Sequence, residues 1–354
     1  MPTVQLPCKV LVSGANGYIA VWVVRTLLEK GYSVRGTVRS EEKAVHLRQL
    51  FSSYGDKHEV VVVEDITKEG AFDEAVKGVD AIEHTASPFH MNADDPDELI
   101  IPAVNGTVGM LKSALKYGQS VKRIVITSSG AAVLRDTTTP FTFSELNWNE
   151  QCLEILKEKG RDAPNMMKYR ASKTLAEKAA WEFWNKHKAS VGWDLTVLNP
   201  PYVFGPAINE ATAPSGLGTS SKLFYNYVAQ PNSSGATNEF LASFGTTWID
   251  VRDLAEAHVI SLEKEAAGGE RIIVSAGLWK WQDFIDAANT ISPPPKLATG
   301  GLPKGNPGAG TGHPSTVHFL QYDTSKAARI LGLKYRTMAE MTRDTLADYE
   351  AKGW

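Results

Sequence analysis

The chain has 354 residues, 43% of them hydrophobic and 22% charged, with a formal net charge of -3 at pH 7. That length is too great for one small core, and that charge leaves no footprint for nucleic acid or an anionic membrane, so small molecules are the expected partners. Its 2 cysteines, Cys8 and Cys152, lie far apart without a CxxC or histidine-rich setting, which excludes a disulfide framework and suggests no metal site.

Met1–Pro7 offers neither a basic nor a long apolar leader, and no segment reaches about 18 apolar residues, so a cytosolic monomer or homodimer is expected. Cys8–Ser13 is a β-type run. It leads into Gly14-Ala15-Asn16-Gly17-Tyr18-Ile19-Ala20 and an apolar helical pattern through Leu28. Strand, glycine turn and helix open a dinucleotide-binding unit, because glycines let backbone approach a pyrophosphate where free N–H groups and the helix dipole favour anions. A plain strand-to-helix turn is the alternative. The next strand begins at Tyr32 and delivers Arg39 and Lys43. An NAD-selective fold would place an acid there, whereas a guanidinium fork and an ammonium suit a 2′-phosphate. The plainer alternative is two solvated cations beside Glu41 and Glu42.

Val60–Glu64 reads as a third strand ending at Asp65-Ile66, with Asp65 able to cap a helix over Lys68–Val76. Ala81–Thr85 reads as a fourth, ending at Ala86-Ser87. This alternation predicts an α/β fold with a doubly wound parallel sheet. The fifth strand, from Val121, ends in Thr127-Ser128-Ser129-Gly130. Ligands of open α/β sheets bind at such carboxyl ends, although a serine-rich strand end is also an ordinary turn. Arg135–Pro164 reads as a surface excursion that shapes a pocket.

Tyr169–Trp181 contains no Gly or Pro and repeats its apolar residues at helical spacing. Tyr169 and Lys173 then share a face, and the ammonium should favour ionisation of a phenol whose ordinary pKa is about 10. With 11 tyrosines, such a pair arises by chance about once. A second occurs at Tyr322 and Lys326, where Asp323 reads as the N-cap of a Thr324–Leu331 helix, leaving Tyr322 off that helix and outside the site. Between them, a strand from Trp193 to Asn199 breaks at Pro200-Pro201 and continues into Tyr202, Val203 and Phe204. Thr247–His258 starts a further unit, with Asp253 as helix cap and His258 structural. Ser292–Ser315, rich in Pro and Gly, reads as a mobile surface loop, either lid or inert insertion, and Asp344–Trp354 as a closing helix.

Taken in order, Gly14-x-x-Gly17-x-x-Ala20, the basic second turn, Thr127-Ser128-Ser129, Tyr169-x-x-x-Lys173 and Pro200-Pro201 resemble the extended short-chain dehydrogenase/reductases. The likeness is greatest to the dihydroflavonol 4-reductase-like group and to microbial carbonyl and aldehyde reductases. Ala20 stands where the family usually has Gly, and Asn199 departs from the Arg of its sugar-nucleotide epimerases. The resemblance implies a Rossmann domain over residues 1–200, with 250–276 packing back on it. Residues 201–249 and 277–354 would form a smaller substrate lobe. It implies NADPH as cofactor, an aldehyde or ketone as substrate, and Ser129, Tyr169 and Lys173 as catalytic groups. Cofactor contacts would come from Gly14, Asn16, Gly17, Tyr18, Ile19, Arg39, Lys43, Asp65, Ile66, Thr85, Ala86, Ser87, Thr127, Pro200 and Val203. Phe89, Tyr202 and Phe204 would wall the substrate. The alternatives are a sugar-nucleotide epimerase or dehydratase and a non-catalytic NADP(H)-sensing protein.

Overall fold

A computed structural model describes residues 3–87 and 93–354. Its first units follow the alternation read from the sequence: β1 (Lys9–Ser13), α1 (Tyr18–Glu29), β2 (Ser33–Val38), α2 (Glu41–Leu50), β3 (His58–Val62) and β4 (Ala81–His84). β3 starts two residues earlier than expected, because its register is set by β2, with Val34 opposite His58 and Val38 opposite Val62. The predicted Lys68–Val76 helix does not form. The stretch is a run of turns in which Gly70 takes a φ of +74°, a conformation that ends a helix, while Phe72 and Val76 still bury their side chains completely.

Then come α3 (Asp97–Tyr117), β5 (Arg123–Thr127), β6 (Phe141–Phe143), α4 (Glu150–Lys159), α5 (Asn165–His187) and β7 (Asp194–Asn199). The 135–164 excursion is more ordered than predicted. Fully buried Asn149 caps α4 through Cys152 N (3.2 Å), and Cys152 is itself wholly buried. α5 follows Pro164 and runs for 23 residues, so Tyr169 lies inside it.

Among the described residues the main sheet has seven parallel strands in the order β10-β7-β5-β4-β1-β2-β3, where β10 is Arg271–Ile273. Helices cover both faces, which is why Val10, Leu11 and Val12 run apolar without alternation. α1 and α8 (Val251–Glu263) pack on one face, and α3 and α5 on the other. The winding reverses between β1 and β4, opening the crevice where such sheets hold ligands.

A second apolar cluster is strongly aromatic. β8 (Tyr202–Phe204), β9 (Thr247–Asp250) and β11 (Gly277–Leu278) form a small sheet beside α6 (Thr219–Val228), α7 (Asn238–Ser243), α9 (Trp281–Asn289) and α11 (Met338–Ala351). β12 (Leu320–Tyr322) pairs with β6 and leads to α10 (Ser325–Ile330). The 292–315 segment has no helix or strand, yet it is not the loose loop predicted. Asn306 N donates to Gln282 Oε1 (2.8 Å), Gly308 N to Asp286 Oδ2 (2.9 Å) and Thr311 N to Asp283 Oδ1 (2.8 Å), so α9 fastens it along its length. No helix among the described residues is long and apolar enough to cross a membrane.

Candidate active site

The turn after β1 is built for close approach. Gly14 has a φ of +63°, and a Cβ there would lie 3.1 Å from Ala86 Cβ, so only glycine fits. Gly17 N donates to Gly14 O (2.8 Å), and Gly17 caps α1 without a side-chain acceptor, leaving first-turn N–H groups for an anion. Asn16 and Ile19 are half-buried at this turn, whereas Tyr18 sends its hydroxyl to Gly205 O (2.9 Å). Ser13 stitches β1 to β4: its oxygen accepts from Thr85 N (3.1 Å) and Ala86 N (3.0 Å), and Thr85 Oγ1 donates to Ser13 O.

Arg39 is exposed at the end of β2. Lys43 already holds Glu210 (3.1 Å), a partly exposed pair that an incoming phosphate can replace at little cost. Asp65 caps a turn rather than a helix, accepting from Thr67 N (2.9 Å) and Oγ1 (2.7 Å), and these bonds hold its carboxyl below the usual range. Ile66 packs toward Gly106 on α3. A glycine cradle, an open helix N-terminus and an exposed guanidinium together suit a phosphorylated dinucleotide.

Across the crevice, the Ser129 hydroxyl lies close enough to act on the Tyr169 phenol, and its Oγ accepts from Ala131 N (3.1 Å). Lys173 Nζ lies 6.0 Å from the Tyr169 ring centroid and donates to Ser87 Oγ (2.9 Å). The expected lowering of the phenol by Lys173 is not found. Burial raises Tyr169, the Ser129 hydroxyl opposes it, and the same burial brings Lys173 down to about 8.

Behind these groups lies a buried network that the sequence reading missed. Glu177 Oε2 accepts from Ser128 Oγ (2.5 Å) and Asn199 Nδ2 (2.7 Å), while Oε1 accepts from Arg271 Nε (2.5 Å). Arg271 also donates to the carbonyls of Glu145 (2.9 Å) and Asn147 (2.5 Å), and its guanidinium stacks 3.7 Å over Trp148. The available signal was spacing, since Glu177 follows Lys173 as Lys173 follows Tyr169, one turn further along the same face. On the opposite face Thr127 Oγ1 meets His258 Nε2 (3.0 Å), whose Nδ1 meets Glu83 Oε2 (2.6 Å). Burial pushes Glu83 up to about 7 against the pull of His258.

The sequence pattern described as the NAD dependent epimerase/dehydratase family matches residues 10–277. The chain belongs to that family. It is 39% identical over 346 residues to NADPH-dependent methylglyoxal reductase GRE2 of Saccharomyces cerevisiae, covering 95% of this chain and 96% of the relative. The crystal structure of yeast methylglyoxal/isovaleraldehyde reductase Gre2 complexed with NADPH superposes with a TM-score of 0.82 at 36% identity, over 96% of this chain and 98% of that one. Cinnamoyl-CoA reductase CAD2 of Medicago truncatula is 36% identical over 278 residues, 77% of this chain and 78% of the relative.

Within this family frame several expected contacts need correction. Phe204 is wholly buried among Trp279, Trp281, Phe224 and Phe284, so it is core and not a substrate wall. Val203 packs its side chain in the core, which leaves its backbone for the expected contact, and Pro200 O is taken by Gly130 N (2.8 Å). Tyr202 is half-buried and close enough to act on the Tyr169 phenol, and its ring meets Trp279 edge-on at 5.6 Å. Phe89 lies outside the described residues. The α8 cap is Asp250, which accepts from Arg252 N (2.8 Å), while Asp253 binds Arg336. Tyr322 is off its helix as predicted but not remote, because its hydroxyl occupies the space that a Cβ on Gly130 would need. From Tyr202 and Trp279 the aromatic contacts continue to Phe244 (6.2 Å), which lines a cavity of about 740 Å³ together with Lys280, His313 and Leu320.

Proposed function

We propose that the chain is an NADPH-dependent reductase that converts an aldehyde or ketone to an alcohol. The observation that carries this reading is the placement of the Ser129 hydroxyl close enough to act on the Tyr169 phenol, with Lys173 beside it, across the crevice from the Gly14 turn. Residues 1–200 with 250–276 serve the cofactor in this reading, and 201–249 with 277–354 serve the substrate. Arg39 and Lys43 hold the 2′-phosphate, and Lys173 holds the nicotinamide ribose. NADPH, when bound, supplies the hydride that adds to the carbonyl carbon. Ser129 donates to the carbonyl oxygen as negative charge gathers there, and Tyr169 gives that oxygen its phenolic proton. Ser128, Asn199, Glu177 and Arg271 keep α5 and the strand ends in place. The half-buried Tyr202 ring near Tyr169 supports partly apolar carbonyls, and the yeast relative's name supports small aldehydes such as methylglyoxal. The reaction is assigned to the cytosol.

The test is NADPH oxidation measured against a panel of small, aliphatic, aromatic and nucleotide-linked carbonyls. Turnover of a simple aldehyde or ketone at the highest kcat/KM is expected, and a nucleotide sugar as best substrate overturns the reading. Removing both charges by Arg39→Ala and Lys43→Ala should raise the KM for NADPH roughly 10- to 100-fold, the scale of one or two charge-assisted bonds, and leave that for NADH nearly unchanged.

A further inference from the structure

Beside Lys173 lies a small, partly open space that includes His84, a residue the proposed reaction does not use. It measures about 20 Å³ and is lined by His84, Ser87, Thr107, Thr127 and Lys173 among others. That is enough to admit a water molecule.

The protonation of His84 follows from the bonds around Ser13. The Ser13 oxygen accepts two backbone N–H groups, from Thr85 and Ala86, which uses both lone pairs. Its own proton therefore goes to His84 Nδ1, 2.9 Å away. A ring that accepts at Nδ1 carries its proton at Nε2. Burial keeps the ring neutral, holding it down to about 3, with the Lys173 charge acting in the same direction. Yet Nε2 is buried and has no hydrogen-bond partner among the described residues. A buried donor left without an acceptor is costly, and native proteins rarely tolerate one. Lys173 brings a second donor to the same space, since an ammonium has three N–H groups and Ser87 Oγ takes one. The Thr127 hydroxyl is turned to His258 on the other face, so the two donors converge on a space to which α3 adds Thr107, and they match the two lone pairs of a water.

We propose that one water fills this space, accepting from His84 Nε2 and Lys173 Nζ, and that His84 is thereby a positioning residue for Lys173. The kinetic part rests on the reductase reading. The other charged groups near Lys173 are already committed: Glu177, one turn on, is held by Arg271, and Glu83 by His258 on the far side of the sheet. From α3 the space receives Thr107, an uncharged group.

A crystal structure of the full chain should show one ordered water within hydrogen-bond distance of both nitrogens, and histidine ¹⁵N spectra should show His84 neutral with its proton on Nε2. His84→Phe removes the donor and crowds the space. Without that water the ammonium loses an acceptor, so the Lys173 limb of the kcat–pH profile should move down by roughly one unit, the worth of one charge-assisted bond. His84→Gln, which presents an amide N–H near the position of Nε2, should bring the limb back toward that of the parent chain. A dry space, a His84 proton on Nδ1, or a His84→Phe profile that overlays the parent's overturns the proposal. Absence of carbonyl reduction by the parent chain would overturn the reductase reading instead, with the crystallographic and ¹⁵N results still deciding the water.

Discussion

The two Tyr-x-x-x-Lys segments have the same spacing and opposite structural fates. Tyr169 and Lys173 lie inside one continuous helix, so the ammonium comes within 6.0 Å of the ring centroid and both side chains face the crevice. Tyr322 ends a strand, and the helix that carries Lys326 begins only at Ser325. Lys326 turns to Glu270 (2.8 Å) instead. A four-residue spacing therefore pairs two groups only where the backbone between them is helical. Both tyrosines nevertheless approach adjacent residues after β5: Tyr169 lies beside Ser129, and the Tyr322 hydroxyl presses on Gly130. The Tyr322 hydroxyl is buried without a hydrogen-bond partner among the described residues.

That contrast can be broken by substitution. Tyr169→Phe removes only the phenolic oxygen, so it should lower kcat by about 10²- to 10⁴-fold while fluorescence titration finds NADPH affinity nearly unchanged. Near-normal turnover would remove Tyr169 from the chemistry. Gly130→Ala comes next in size. Its methyl would land on the Tyr322 hydroxyl and should destabilise the fold by roughly 1–3 kcal/mol, read as a lower denaturation midpoint. In the double variant with Tyr322→Phe part of that loss should return, and strict additivity would argue that the two residues do not meet. The smallest effect belongs to Tyr322→Phe alone. It deletes a buried hydroxyl without a partner, so stability should hold or rise slightly, and kcat should stay within roughly twofold.

Much of this was legible in the sequence because it is local. The strand–glycine–helix opening, the hydroxyl-rich end of β5 and the Tyr169 face of α5 each depend on residues a few positions apart. What escaped depends on distant partners. Glu177 and Arg271 are 94 positions apart, and nothing near either one announces the other. Phe204 sits at a strand end, where an aromatic ring can line a pocket or fill a core, and only the surrounding tryptophans decide. Lys68–Val76 kept its buried apolar residues while Gly70 diverted the backbone, so periodicity alone misread its shape. The 292–315 segment looked loose because its anchors, Gln282, Asp283 and Asp286, lie on the preceding helix.

The Glu177 carboxylate works as a datum for the whole layout. A helix can slide on a sheet by whole turns with little change in its apolar contacts, and one such step would carry Tyr169 about 5.4 Å from Ser129. Glu177 forbids it, since one pair of oxygens is indexed to β5 through Ser128, to β7 through Asn199 and to β10 through Arg271. Buried ion pairs of this kind add little net stability, but they penalise misalignment heavily. The spacing of Tyr169 from Ser129 is thus decoupled from the aromatic lobe, and mutations there can change that lobe without disturbing the ruler by which the two hydroxyls are set.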